Sequence, residues 1–372
     1  MGIREYGYVV GTGRPGRRNL ITDVPGVKVG HCTVDTDQNQ TGVTVILPCE
    51  GLVYGKKPLA AVYALNGFGK TMGSIQVEEL GTLETPIALT NTLNVGRVAD
   101  ALVEYTCIQC GKAGVEMHSV NPVVGETNDS RINHIRHRAV GEAEVMEAIA
   151  RADEIFAQGA VGAGAGTVCF GLKGGIGSSS RIVSFGGKQY TVGVLVQSNF
   201  GSLQDLDICG DLVGEKIVQM RAAQEAGSQK AVEGQEAGSR AAVQIRTSGR
   251  EWIHAYEDKG SIMIVLATDV PLDARQLKRV LKRAAVGLVR TGSYMGHGSG
   301  DVFLGFTNGN FMPDQEEEQL TAIRCFPEGQ INLLFRAAAE ATQEAIYNSL
   351  IYADRRMGID GRIYHSLREY LS

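Results

Sequence analysis

The stretch GSIMIVLATD, residues 260–269, places a small polar pair directly in front of a dense apolar run. The run from Ile262 to Ala267 consists of β-branched and aliphatic residues, a pattern that predicts a buried strand. Two interpretations of Gly260-Ser261 are open. The pair is either a plain turn before a core strand, or a cleavage site whose product carries a new N-terminal serine.

The segments around this strand predict an α+β architecture, because strands and helices fall into separate groups rather than alternating regularly. Segment 85–96 predicts a strand that passes into a helix, and 120–129 predicts a loop or an edge segment. Apolar runs bounded by turn residues predict strands at 26–34, 41–49, 60–67, 166–175, 181–187, 189–199, 261–269 and 298–309. Apolar residues at helical spacing predict helices at 95–106, 142–158, 270–292 and 332–351.

The composition of the chain changes ahead of the 261–269 strand. The pentapeptide QEAGS occurs at 224–228 and again at 235–239, within a stretch dominated by Ala, Glu, Gln, Gly and Ser. Such a stretch has too few large apolar side chains to offset the entropic cost of ordering, and its glycines disfavour a helix. We therefore expect 222–245 to be a flexible surface segment, with an exposed helix as the alternative.

The totals exclude several classes of protein. The 372 residues carry a net charge of −5, whereas a nucleic-acid partner requires a basic surface. No apolar run approaches the ~20 residues of a membrane span, so no membrane partner is expected. The first residues contain no apolar core typical of a secretory signal. The seven cysteines are scattered, which suits a reducing, cytoplasmic environment.

Candidate cofactor and metal motifs are weak. Cys107 and Cys110 form a C-x-x-C without a second ligand pair, which favours buried thiols over a zinc site. His134 and His137 lie among three arginines and no acid, which favours a solvated basic face. The glycines of 161–168 follow a helix and precede a strand, the reverse of the order in a dinucleotide-binding motif. We expect neither a metal nor a cofactor.

The chemistry of an N-terminal serine makes the cleavage interpretation specific. A serine hydroxyl is a weak nucleophile that needs a nearby base. If the chain is cut before Ser261, the serine gains an α-amine with a reference pKa of about 8, which is partly neutral near pH 7. That amine can accept the hydroxyl proton over a short distance. Gly260 leaves the bond free of side-chain bulk, although Gly-Ser pairs also precede strands as ordinary turns.

Long blocks of this chain resemble the self-processing aminopeptidase family of the DmpA and β-peptidyl aminopeptidase type. The likeness spans nearly the whole chain, in order. The blocks are 19–34, 89–96, 123–129, 159–181, 192–201 and 260–306. The resemblance implies a four-layer αββα sandwich, similar to that of ornithine acetyltransferase, in which two β-sheets stack between helical layers.

The resemblance also implies how the chain matures. It implies one self-processing domain, 1–372, that cuts itself between Gly260 and Ser261 into an α chain, 1–260, and a β chain, 261–372. Ser261 is then the nucleophile for both processing and hydrolysis. The segment 222–245 would allow the new end of the α chain to move away from the site.

Four further site residues follow from the resemblance. Ser299 and Asp301, in GHGSGD, match the second serine and the acidic partner of the family, where the serine relays a hydrogen bond to the Ser261 amine and the acid orients it. Asn199 matches an oxyanion-hole donor, and Glu126 is the candidate that binds the free amine of the substrate. As alternatives, Ser299 and Asp301 cap a turn, Asn199 ends a strand, and Glu126 is a solvated loop acid.

The predicted function is that of a metal-free aminopeptidase. It removes the N-terminal residue of short peptides, amides or esters through an acyl-enzyme on Ser261, and the resemblance implies a homo-oligomer of αβ units. Two alternatives remain. One is an acyltransferase like ornithine acetyltransferase, although that family uses a threonine nucleophile. The other is an unprocessed chain that serves as a non-catalytic binding subunit.

Overall fold

The computed structural model describes residues 2–233, 260–313 and 320–371. Its strands are β1 (Lys28–Asp35), β2 (Gln40–Leu47), β3 (Lys56–Gly67), β4 (Ile87–Asn91), β5 (Val123–Thr127), β6 (Val168–Cys169), β7 (Leu172–Lys173), β8 (Ile176–Phe185), β9 (Lys188–Asn199), β10 (Ser261–Thr268), β11 (Gly300–Pro313), β12 (Arg356–Met357) and β13 (Ile363–Tyr364). Its helices are α1 (Ser74–Leu80), α2 (Val95–Ala113), α3 (Glu142–Ala150), α4 (Val213–Glu233), α5 (Ala274–Leu281), α6 (Ala284–Val289) and α7 (Asn332–Ile351).

The strands form two main sheets. One has four strands in the order β1-β2-β4-β5, and the other has five in the order β3-β11-β10-β9-β8. β10 is the central strand of the larger sheet, where it runs parallel to β11 and antiparallel to β9. The GSIMIVLATD stretch therefore begins at the middle of a sheet, with a neighbouring strand on each side of Ser261.

Alternate side chains of β10 explain the layering. Successive residues of a strand point to opposite faces of its sheet. Met263, Val265 and Ala267 pack with the four-stranded sheet, in a core that includes Ile46, Ile87 and Leu89. Ile262, Ile264 and Leu266 pack with side chains of α5, α6 and α7. Burial of a large aliphatic side chain stabilises the folded state by about 1.5–3 kcal/mol, so both faces of β10 hold layers together.

The outer face of the four-stranded sheet packs against α2 and α3. Val43, Val45 and Ala88 share a buried cluster with Leu102 of α2 and Val145 of α3. The order of layers is therefore helix, sheet, sheet, helix, which confirms the predicted αββα sandwich. No helix among the described residues is long and apolar enough to cross a membrane.

Two predicted helices differ from the structure. The helix predicted over 142–158 ends at Ala150, because the backbone of Asp153 pairs with Val29 at the edge of β1. The helix predicted over 270–292 begins only at Ala274, where the Asp273 carboxylate accepts a hydrogen bond from the Gln276 N–H. It then divides into α5 and α6. Tertiary pairing and capping override the apolar periodicity at these places.

The first part of the segment predicted to be flexible, 222–245, is helical in the structure. Helix α4 continues to Glu233, so the helical alternative holds over 222–233. Buried Val213 and Ile217 anchor the first turns of this helix. Propagation of an existing helix through Ala, Glu, Gln and Lys costs little. Residues 234–245 lie outside the described residues.

Candidate active site

A cavity of about 360 Å³ lies at the N-terminal end of β10, within the size range of small-molecule sites. Four of the predicted site residues line it, namely Gly260, Ser261, Asn199 and Glu126. The other two, Ser299 and Asp301, are buried at the start of β11, the strand that pairs with β10. The fold therefore gathers side chains from β5, β9, β10 and β11 at one place.

Ser261 is the first residue of β10 and is 8% exposed. It lies opposite Asn199 of β9 and opposite Gly300 of β11. A β-carbon on residue 300 would approach the Ser261 Oγ to 3.1 Å and the Phe68 carbonyl oxygen to 2.6 Å. A glycine is therefore required beside the hydroxyl, and Ser261 begins a strand that is buried along its whole length.

Gly260 has a structural reason to be glycine. A β-carbon at this position would lie 2.1 Å from the backbone oxygen of Asn199 and 2.6 Å from the Cα of Phe200. The Gly260 carbonyl oxygen accepts a hydrogen bond of 3.0 Å from the Gly300 N–H. The carbonyl that precedes Ser261 is therefore oriented by a backbone donor.

Ser299 and Asp301 form a buried pair. The Ser299 hydroxyl donates a 2.7 Å hydrogen bond to Asp301 Oδ1. The pairing of β11 with β3 is irregular between Asp301 and Val302, and such irregularities redirect side chains. Because the hydroxyl proton is directed to the carboxylate, the Ser299 oxygen keeps its lone pairs to accept an N–H from another group.

Asn199 ends β9 with its amide held at both ends. Its Oδ1 accepts a hydrogen bond of 2.9 Å from the Val168 N–H, and its Nδ2 donates one of 3.0 Å to the Asn128 carbonyl. A donor on one side and an acceptor on the other fix which end of the amide is nitrogen. The second N–H of Nδ2 is then a candidate donor for a bound carbonyl oxygen.

Glu126 presents a buried carboxylate to the cavity and is only 3% exposed. Its Oε1 accepts a hydrogen bond of 2.9 Å from the Lys70 backbone N–H, and its Oε2 accepts one from the Thr92 hydroxyl. The cavity is also lined by Lys70 and Arg131, but the two groups that donate hydrogen bonds to the carboxylate are uncharged, so an ammonium group entering the cavity would complement it.

Two buried charged residues close to the site were missed from the sequence. Lys173 donates hydrogen bonds to the carbonyl oxygens of Gly164, Thr167 and Gly174, and its burial lowers the pKa of the ammonium to about 7. Asp129 is buried next to Asn128, and that burial raises its pKa to about 6. The available signal for Lys173 was a single charge in the apolar, glycine-rich stretch CFGLKGGIG.

The cysteine and histidine motifs lie outside this cavity. Cys110 is buried as expected, whereas Cys107 is exposed on α2, so the buried-thiol prediction is wrong for Cys107. The rings of His134 and His137 stack with their centroids 5.4 Å apart. Within the described ranges, no group of three His, Cys, Asp or Glu residues has a metal-binding arrangement.

This arrangement defines a class of protein. A serine at the first position of the central strand, in a sandwich of two sheets between helices, is the arrangement that the sequence resemblance implies for a hydrolase with an N-terminal nucleophile. The comparisons agree, because the model of Peptidase family S58 matches residues 19–364. The chain belongs to this family, whose members of the DmpA and β-peptidyl aminopeptidase type are serine aminopeptidases with an N-terminal nucleophile.

Individual relatives cover almost the whole chain. The beta-peptidyl aminopeptidase BapA of Sphingosinicella microcystinivorans is 36% identical over 365 residues, which are 94% of this chain and 85% of the relative. The PH0078 protein from Pyrococcus horikoshii OT3 is 44% identical with a TM-score of 0.84, covering 100% of this chain and 98% of that one.

A further similar structure is that of an enzyme whose name states its activity. It is the L-aminopeptidase D-Ala-esterase/amidase from Ochrobactrum anthropi, described as a prototype for the serine aminopeptidases and a variant of the Ntn hydrolase fold. It is 30% identical with a TM-score of 0.82, covering 100% of this chain and 96% of that one. The family resemblance and the fold predicted from the sequence are confirmed, and the acyltransferase alternative is not favoured.

Proposed function

We propose that Ser261 is the nucleophile of this aminopeptidase, and that the chain creates it by cutting itself between Gly260 and Ser261. The products are an α chain, 1–260, and a β chain, 261–372, which remain one folded domain. The observation that carries the proposal is the junction itself. A serine begins the central strand beside a cavity, and the residue before it has room only for glycine.

Processing requires attack within one peptide unit. The Ser261 Oγ attacks the Gly260 carbonyl carbon, the proton that leaves Oγ is transferred to the Ser261 nitrogen as the C–N bond breaks, and Gly260 is left as an ester on the serine. Water then cleaves that ester, which frees the hydroxyl and the new α-amine. The Gly300 N–H supports this step, because it donates to the Gly260 oxygen, where negative charge develops.

Hydrolysis uses the same hydroxyl with a different base. The α-amine of Ser261 takes the hydroxyl proton as Oγ attacks the substrate carbonyl, and it later protonates the leaving group. Ser299 accepts an N–H from this amine while donating to Asp301, which holds the amine in place. Asn199 Nδ2 stabilises the oxyanion. Water then releases the acid from the acyl-enzyme on Ser261.

The free amine of the substrate is assigned to Glu126. A buried carboxylate with two neutral donors attracts an ammonium, and a hydrogen bond to a charged group contributes about 1.5–3 kcal/mol. The cavity of about 360 Å³ suits a small acyl group better than a long polypeptide. We therefore propose that the substrates are short peptides, amides or esters with a free N-terminal amine.

We also propose that the protein acts as a homo-oligomer of αβ units in the cytoplasm. Large apolar side chains are exposed in the segment 68–80, with Phe68, which lines the cavity, at 60%, Ile75 at 85% and Leu80 at 64%. Burial of these side chains against a second copy would remove them from water. All seven cysteines are free thiols, a state that a reducing compartment maintains.

Covalent labelling tests the role of Ser261. The protein is treated with phenylmethanesulfonyl fluoride, digested and mapped by mass spectrometry, with hydrolysis of an amino-acid p-nitroanilide measured in parallel. We expect one label on Ser261, in proportion to the activity lost, and protection by a competing small peptide. Inactivation with the label on another residue would contradict the assignment.

A further inference from the structure

Lys173 is a fully buried lysine with an unusual set of partners. Its ammonium donates to the carbonyl oxygens of Gly164 at 2.9 Å, Thr167 at 2.9 Å and Gly174 at 2.7 Å. An ammonium has three N–H donors, so these backbone oxygens use all of them. Within the described residues, no carboxylate forms an ion pair with Lys173. Burying this charge is costly, which calls for a reason to keep it.

The three carbonyls belong to the segment that contacts Asn199. The Gly174 N–H donates to the Thr167 carbonyl at 3.0 Å, so the segment 164–174 closes on itself around the ammonium. The carbonyl of Thr167 and the N–H of Val168 are the two ends of one planar peptide group. Lys173 binds the first end, and the second end donates to Asn199 Oδ1 at 2.9 Å.

The Thr167–Val168 peptide group links the Lys173 ammonium to the side-chain amide of Asn199. An ammonium bound to a carbonyl polarises the whole peptide, and hydrogen bonds in such a chain strengthen one another. The Val168 N–H is thereby made a better donor and is fixed in direction. The other end of the Asn199 amide is held by the Asn128 carbonyl, adjacent to buried Asp129. Asp129 is in turn bound by the side chains of Thr41, Asn91 and Asn133.

We infer that Lys173 is a positioning residue for substrate hydrolysis. Through the Thr167–Val168 peptide, its ammonium orients the Asn199 amide so that Nδ2 faces the reacting carbonyl oxygen. The inference rests on the proposed oxyanion role of Asn199. The inference applies to hydrolysis and not to self-cleavage. The Gly260 oxygen accepts its hydrogen bond from the Gly300 N–H and not from Asn199.

The test is a double-mutant cycle on the full chain, built from Lys173→Met and Asn199→Ala. Loss of one oxyanion donor lowers kcat by about 100- to 1000-fold. We expect Lys173→Met to remain cleaved at 260–261, to lower kcat about 100-fold and to leave KM nearly unchanged. In the Asn199→Ala background, Lys173→Met should lower kcat little further. Lys57→Met is the matched control, because Lys57 bonds to Glu84 away from the cavity, and it should keep full kcat.

Each other outcome overturns the inference. If Lys173→Met lowers kcat by the same factor with and without Asn199→Ala, the lysine has a general structural role. If the Lys173→Met chain is not cleaved at 260–261, the lysine acts in processing. If that variant does not fold, Lys173→Gln, which keeps two N–H donors, takes its place in the cycle. Failure of both variants to fold would mean that the lysine holds the fold rather than the amide. If Asn199→Ala alone keeps full kcat, the proposed function of Asn199 fails instead.

Discussion

The backbone of β9 leaves no room for a side chain at Gly260, the residue before the cleavage site, so Gly260→Ala should slow self-cleavage strongly. The added β-carbon would lie 2.1 Å from the Asn199 backbone oxygen, whereas real contacts of this kind stay above 3.0 Å. The obstacle is backbone of β9, which cannot rotate away as a side chain can. Relief therefore requires the junction to move by about 1 Å, and a misplacement of reacting groups by that distance costs about 100-fold in rate.

The assay follows cleavage of newly made chain over time by denaturing gel electrophoresis after cell-free translation. We expect Gly260→Ala to be processed about 100-fold more slowly than the unmodified chain. Gly111→Ala is the matched control, because a β-carbon at that helical position meets nothing within 4 Å. Its processing should be unchanged. Cleavage of Gly260→Ala at the normal rate would refute the steric argument.

Three further changes test other parts of the account. Glu126→Gln should raise KM for a substrate with a free amine about 10-fold or more, with kcat little changed. The N-acetylated form of the same substrate, which lacks the ammonium, is measured as an inhibitor of both proteins. An equal loss of affinity for this N-acetylated form would contradict amine binding by Glu126. Ile264→Ala, at a fully buried position of β10, should lower the free energy of unfolding in urea by about 2–5 kcal/mol, whereas Ile359→Ala at an exposed position should cost less than about 0.5 kcal/mol. Burial lowers the pKa of His31 to about 4, while an unfolded histidine titrates near about 6.5. As pH drops, the unfolded chain therefore takes up the proton before the folded chain does, so Tm should fall between about pH 6.5 and about pH 4. His31→Gln cannot titrate and should weaken this dependence of Tm on pH. An equal pH dependence of Tm in the variant would exclude His31 as its cause.

The centre of the fold could be predicted from local sequence because local pattern and tertiary environment agree there. The run 261–269 is apolar on both faces of a strand, and β10 is buried on both faces. The helix predicted over 332–351 matches α7 (Asn332–Ile351). Residues 142–158 are different, because β1 competes for the backbone of Asp153, and no local pattern reports the edge of a distant strand.

The candidate site divides in the same way. Ser299 and Asp301 are two residues apart, so their hydrogen bond is nearly local and follows from the family motif. The role of Lys173 depends instead on backbone carbonyls that the chain gathers around it, and on a peptide that contacts Asn199 from another strand. A list of residue types cannot reveal partners that are main-chain atoms, so the sequence shows Lys173 only as a single charge in an apolar, glycine-rich stretch and does not report what it binds.

The intact mass of freshly purified protein, measured under denaturing conditions beside a Ser261→Ala variant, tests the central claim most directly. The account predicts two species in the unmodified protein, with the masses of 1–260 and 261–372, and one full-length species in the variant. A single full-length species in both proteins would contradict it, because no α-amine would then exist at Ser261 to act as the base.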